Sequence, residues 1–149
     1  MPEPSTATHG IGRLLTAMVT PFDADGEVDH AQAQYLARVL LDNGSDGVVV
    51  TGTTGEVPTL SQREKLDLYR AVKEAVGQDG VVLAGTSTYN TRESVETSRE
   101  AQATGVDGLL LTVPYYSKPT QEGLLRHFQA IAGAVDRSEE RRVGKECRL

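Results

Sequence analysis

Two short stretches of this 149-residue sequence carry residue types that chemistry needs. The first is Thr51-Gly52-Thr53-Thr54-Gly55-Glu56. Glycines flanking hydroxylated residues let a turn expose backbone N–H groups, and the hydroxyls add donors. Such a nest suits a small anion such as a carboxylate. The same residues equally suit an ordinary strand-to-helix turn, in which glycine supplies unusual backbone angles. Glu56 is read as a hydrogen-bond acceptor that braces the turn. The second stretch is Pro114-Tyr115-Tyr116. A phenol in a dry site can relay protons. Taken alone, the pair reads first as two amphipathic rings covering the end of a barrel.

Other chemistries find little support. His9, His30 and His127 fall in different predicted elements, and no zinc-hydrolase signature surrounds them. No G-x-S-x-G elbow supports a serine nucleophile. No pattern calls for a metal or cofactor. A Schiff-base lysine must shed its proton near neutral pH, which requires desolvation. Lys65 and Lys73 lie in a predicted helix and are expected on its charged outer surface. Lys118 follows the tyrosine pair in a polar loop, and Lys145 lies near the carboxyl terminus. None belongs to a predicted apolar strand, so none is a candidate nucleophile.

The elements that position these residues follow from hydrophobic patterning. Apolar runs cover 14–19, 48–50, 81–84 and 109–113. Runs this short and continuous read as parallel strands covered on both faces. Each is followed by small, hydroxylated or aromatic residues, which gathers the chemistry at strand carboxyl ends. Asp29 is expected to cap a helix with the stripe Ala33, Leu36, Ala37, Leu40 and Leu41, ended by Gly44. Ser61 and Glu64 form a capping box for a second helix bearing Tyr69, Val72 and Val76, with Gly77 past its end. Thr91 is expected to cap a third helix, closing before Gly105, and Thr120 a fourth bearing Leu124, Leu125, Phe128, Ile131 and Ala132. Strand and helix alternate four times, which predicts an α/β fold with a parallel sheet. Patterning alone does not separate a barrel from an open doubly wound sheet. The absence of G-x-G-x-x-G after the first strand disfavours a dinucleotide-binding sheet.

Composition sets further bounds. The net charge of −6 argues against a nucleic-acid or anionic-membrane partner. The single cysteine, Cys147, excludes an intrachain disulfide and fits a reducing compartment. Residues 1–13 read as a flexible leader, neither a secretory signal nor an anchor. No apolar run approaches the ~20 residues that span a bilayer. A cytoplasmic protein is expected. Residues 137–149 hold five Lys/Arg against three Asp/Glu, with no strand alternation or apolar stripe. They read as foreign to the fold, from truncation, a frameshift or a cloning junction; a basic regulatory tail is the alternative.

Taken together, residues 16–22 (Thr-Ala-Met-Val-Thr-Pro-Phe), 52–56, 84–86 and 112–128 resemble the dihydrodipicolinate synthase family, in unbroken order over about 14–136. The resemblance implies a TIM (β/α)8 barrel truncated after its first four β/α units. It implies a lyase that condenses pyruvate with L-aspartate 4-semialdehyde on the route to diaminopimelate and lysine, assembled as a homo-oligomer, usually a tetramer. By the same resemblance, Thr53 matches a proton-relay threonine and Thr54 the residue that binds the pyruvate carboxylate. Tyr116 matches a relay tyrosine offered across a dimer interface. Tyr115, Tyr89 and Glu93 fall near an interface site where some members bind lysine as inhibitor.

Two departures stand near these residues. Tyr89 replaces the asparagine common in lysine-inhibited members, and Val57 the serine that commonly follows G-T-T-G-E. The greater departure is length. A barrel needs about 250 residues. The family's strand-five tyrosine and arginine and its strand-six Schiff-base lysine have no counterpart here, so the chain alone is expected to be inactive. The alternatives are another pyruvate-dependent Schiff-base aldolase, of the N-acetylneuraminate lyase or 2-keto-3-deoxy sugar acid type, and a non-catalytic half-barrel subunit or binding module.

Overall fold

The computed structural model describes residues 11–135. The leader expected at 1–13 therefore lies mostly outside the described residues, and the tail at 137–149 wholly so. Four strands, β1 (Leu15–Ala17), β2 (Gly47–Val50), β3 (Val81–Gly85) and β4 (Gly108–Leu110), alternate with four helices. The helices are α1 (His30–Asp42), α2 (Gln62–Val76), α3 (Thr91–Ala103) and α4 (Gln121–Ala132). The strands pair in parallel, in the order β1-β2-β3-β4. That order separates the two sheets the sequence left open. A doubly wound sheet reverses its strand order at a switch point, whereas a β/α barrel adds each strand beside the last.

Val48, Val50, Val82 and Ala84 turn toward the helices and are buried with Leu68, Tyr69, Val72 and Val76 of α2. Ala33 and Ala37 of α1 complete that layer, with Leu36, Leu40 and Leu41 packed against it. The stripes read from periodicity are thus the packed faces. Leu125 of α4 is the exception, at 42 % exposure. Its helix follows the last described strand, and no further described unit flanks that side.

The caps follow the expectations with one correction. Asp29, Ser61 with Glu64, and Thr120 cap α1, α2 and α4. Asn90, not Thr91, caps α3, accepting from the N–H groups of Arg92 and Glu93. Asn90 stands one residue before the helix, from where its amide oxygen reaches forward to those N–H groups. The Thr91 hydroxyl instead meets His127 Nδ1 on α4 at 2.9 Å.

A second correction concerns the lysines. Lys65 is buried, and the Lys73 ammonium is mostly covered. Lys65 faces Glu93 of α3, and Lys73 turns toward Asp107 just before β4. Lys73 donates to both Asp107 oxygens, at 2.9 and 2.7 Å, and to the Gly77 carbonyl.

At the amino ends of the strands the chain repeats one device. Gly44-Ser45-Asp46-Gly47 and Gly105-Val106-Asp107-Gly108 each run from a helix into a strand. Gly44 and Gly105 hold positive φ, +102° and +87°, which end α1 and α3. The Asp46 carboxylate accepts from the N–H groups of Arg13 and Leu14 before β1, and these bonds hold it below the usual carboxylate range. The Asp107 carboxylate accepts from Val82 N–H in β3 at 2.9 Å. Each aspartate thus ties the start of its strand to the preceding strand.

Candidate functional site

The opposite ends of the strands hold the residues singled out from the sequence. After β2, Thr51 bends the chain with a φ of +54°, a conformation that β-branched residues rarely adopt. A single 3-10 turn, Thr53–Gly55, follows. It is closed by Gly55 N–H to the Gly52 carbonyl and by Glu56 N–H to the Thr53 carbonyl. Thr53 and Thr54 are exposed on it. Among the described residues, no backbone bond engages the N–H of either. The turn therefore offers two free amides and two hydroxyls at a strand carboxyl end, the donor set that an incoming carboxylate needs.

Glu56 joins this turn to a second 3-10 turn, Val57–Thr59, through its backbone. Its residue stands at φ +56°, and its carbonyl accepts from the N–H and the hydroxyl of Thr59. From the β1 side, the buried Thr20 hydroxyl donates to the Gly55 carbonyl at 2.7 Å. From the β3 side, Thr51 Oγ1, the Tyr69 hydroxyl and the Gly85 carbonyl converge, with separations of 2.8, 2.8 and 2.9 Å. Burial pushes the Tyr69 phenol up to about 12, so it stays protonated near neutral pH.

Beyond β3, Ser87 joins the ends of the third and fourth strands. Its hydroxyl accepts from Thr112 N–H and lies 3.2 Å from Thr112 Oγ1. The chain then reaches the tyrosine pair. The Tyr115 ring meets Tyr89 edge-to-face, with centroids 5.4 Å apart. Tyr116 has φ +72°, and Ser117 N–H bonds to the Tyr115 carbonyl across it. This is a strained γ-turn, and it projects the Tyr116 side chain until the residue is 99 % exposed.

The structure thus puts Thr53 and Thr54 side by side, with Tyr116 two strands away on the same rim. Tyr116 projects into solvent, with no packing partner among the described residues. Among the described residues no three His, Cys, Asp or Glu side chains come together as a metal site. No described helix is long and apolar enough to cross a membrane. Lys65 lies buried beside Glu93; desolvation lowers its ammonium and the Glu93 charge opposes that shift. The reading from sequence missed Thr51, Tyr69 and Gly85 as a unit. One signal was present: a tyrosine on an apolar helix face must find a partner for its hydroxyl.

The family profile described as "Dihydrodipicolinate synthetase family" matches residues 10–138. The chain belongs to this family. A synthetase-family relative, the 4-hydroxy-tetrahydrodipicolinate synthase of Moorella thermoacetica, is 62% identical over 124 residues, covering 83% of this chain and 42% of the relative. The solved dihydrodipicolinate synthase of Bacillus anthracis superposes with a TM-score of 0.84 at 46% identity, covering 85% of this chain and 44% of that one. The Acinetobacter baumannii enzyme, solved in complex with pyruvate, gives a TM-score of 0.82 at 38% identity, covering 85% and 44%. This synthetase-family chain therefore spans less than half the length of the proteins it matches. Its four β/α units correspond to the first units of their barrel.

Proposed function

We propose that this sequence is the amino-terminal half of a 4-hydroxy-tetrahydrodipicolinate synthase. In this reading, the complete barrel is a carbon–oxygen lyase that joins pyruvate to L-aspartate 4-semialdehyde in diaminopimelate and lysine biosynthesis. The observation that carries the reading is the Thr53–Gly55 turn, with its free amides and exposed hydroxyls at the strand end. It is set in a chain 62% identical to a synthase.

Each residue then has a task. The Thr54 amide receives the pyruvate carboxylate, which fixes the ketone relative to the attacking amine. Amine addition to that ketone and loss of water give an imine, and each step moves protons at oxygen or nitrogen. The Thr53 hydroxyl passes those protons together with the Tyr116 phenol offered by a second copy. Full exposure of Tyr116 in its own chain suits a side chain completed by a second copy, so a homo-oligomer, a tetramer in the intact enzyme, belongs to this proposal. A cytoplasmic location belongs to it as well. The Schiff-base lysine, which resemblance puts on a sixth strand, lies outside this sequence. The chain alone is then inactive, because the covalent route itself is missing.

The test is a hybrid barrel. Residues 14–135 replace the matched segment of the Moorella thermoacetica synthase, and condensation is assayed with pyruvate and L-aspartate 4-semialdehyde. Turnover that collapses in Thr53→Val supports the reading. A folded hybrid without turnover, or with turnover indifferent to Thr53→Val, overturns it. Borohydride added with pyruvate to the 149-residue chain is expected to trap no adduct. A stable pyruvyl adduct would refute the inactivity of the chain alone.

A further inference from the structure

We propose that Tyr69 is a positioning residue for the Thr53–Gly55 turn, acting through Thr51 and the Gly85 carbonyl. The proposal rests on the function proposed above for that turn. Its geometric basis is the junction between β2 and the turn. Thr51 is 1 % exposed and sits at φ +54°. A β-branched residue keeps such a conformation only where its surroundings over-determine it. Two hydroxyl groups and one carbonyl surround this junction, all within 2.9 Å of one another.

Proton counting shows what each hydroxyl does. Thr51 and Tyr69 bring one proton each, and the Gly85 carbonyl has two lone pairs. In any arrangement at least one hydroxyl donates to Gly85, and the other donates to it as well or to its hydroxyl neighbour. The Thr51 side chain is therefore fixed in direction, and with it the φ that aims residues 52–54. Two residues on, Thr53 starts the exposed turn. Tyr69 itself is fully buried, so it touches no substrate. It reaches the junction from α2, whose amino end is locked by the Ser61–Glu64 capping box. The far end of the turn is held independently by Thr20. The turn is thus clamped from both neighbouring strands, and only the β3-side clamp depends on a helix side chain.

The test compares Tyr69→Phe with the unchanged protein in the hybrid barrel. Phenylalanine keeps the ring in the core and removes only the hydroxyl. Loss of one well-made hydrogen bond to the junction is expected to lower kcat about tenfold, with KM for pyruvate changed by less than about twofold. Thr51→Val removes the same junction from the other side and is expected to give a similar loss. In a Thr53→Val background, Tyr69→Phe should then cost little more, because the group being aimed is gone. A lowered Tm with unchanged kcat, or losses that simply add in the double variant, overturns the proposal.

Hydrogen exchange on the same proteins reads the clamp without turnover. The Gly55 and Glu56 amides, bonded within the turn, are expected to exchange about tenfold faster in Tyr69→Phe, while α1 and α3 are unchanged. Uniform acceleration, or none, overturns the clamp. A hybrid that never turns over disposes of the proposed reaction and leaves the exchange rates to decide the role of Tyr69.

Discussion

The carbonyl oxygen of Thr51 lies against Gly85 so closely that a β-carbon on residue 85 would overlap it. The ends of β2 and β3 therefore meet backbone to backbone, just below the turn that carries Thr53 and Thr54. Rigid backbone, not a flexible side chain, occupies the space. Gly85→Ala is accordingly expected to push the two strand ends apart and to destabilise the chain by about 2 kcal/mol. A urea titration followed by far-ultraviolet circular dichroism reads the loss, and an unchanged midpoint would refute the close approach.

Asp107 joins α2 to the amino ends of β3 and β4, taking bonds from Lys73 and from the Val82 amide. Truncation leaves the Val82 amide without its acceptor and the mostly covered Lys73 ammonium with only the Gly77 carbonyl and no counter-charge. Asp107→Ala is expected to cost about 2 kcal/mol, read as a lower denaturation midpoint at constant m-value. Asp46→Ala, in the repeated position before β2, is expected to act in the same direction through the loss of two N–H bonds.

Burial holds the His127 imidazole below the ordinary histidine range. The unfolded chain binds a proton there that the folded chain resists. Stability from this group is therefore fully present above about pH 6.5 and is lost as pH falls below it toward the depressed folded value. Unfolding midpoints at pH 7.5 and 5.5 are expected to fall in that order. His127→Gln is expected to flatten the difference; an equal slope in the variant would assign the dependence to other groups.

Among the described residues, the first and fourth strands each have a hydrogen-bonded neighbour on one side only. Leu14, Val19, Leu110 and Val113, in and around them, are between 37% and 54% exposed. Open parallel edges next to apolar side chains favour strand addition. The 149-residue chain alone is expected to self-associate, with a sedimentation coefficient that rises with concentration. A monodisperse monomer across a hundredfold dilution would count against this.

The sequence by itself determined the four β/α units, because short apolar strand runs and the one-sided stripe of each helix impose patterns that local chemistry cannot imitate. It also determined three helix caps and the two stretches at the strand ends, since Asp29, Ser61-Glu64, Thr120 and Gly52–Glu56 act over three or four residues. Motif order identified the family. Tertiary structure alone decided the rest, because the deciding contacts join residues far apart in the chain. Sequential strand order, not helix and strand periodicity, separates a barrel unit from a doubly wound sheet. Lys65 and Lys73 read as solvent-facing until the packed fold sets Lys65 beside Glu93 of α3 and Lys73 against Asp107 before β4. Thr51, Tyr69 and Gly85 are unremarkable one by one. Packing of α2 on two parallel strands brings their oxygens within 2.9 Å, and that convergence holds the turn in its strained form.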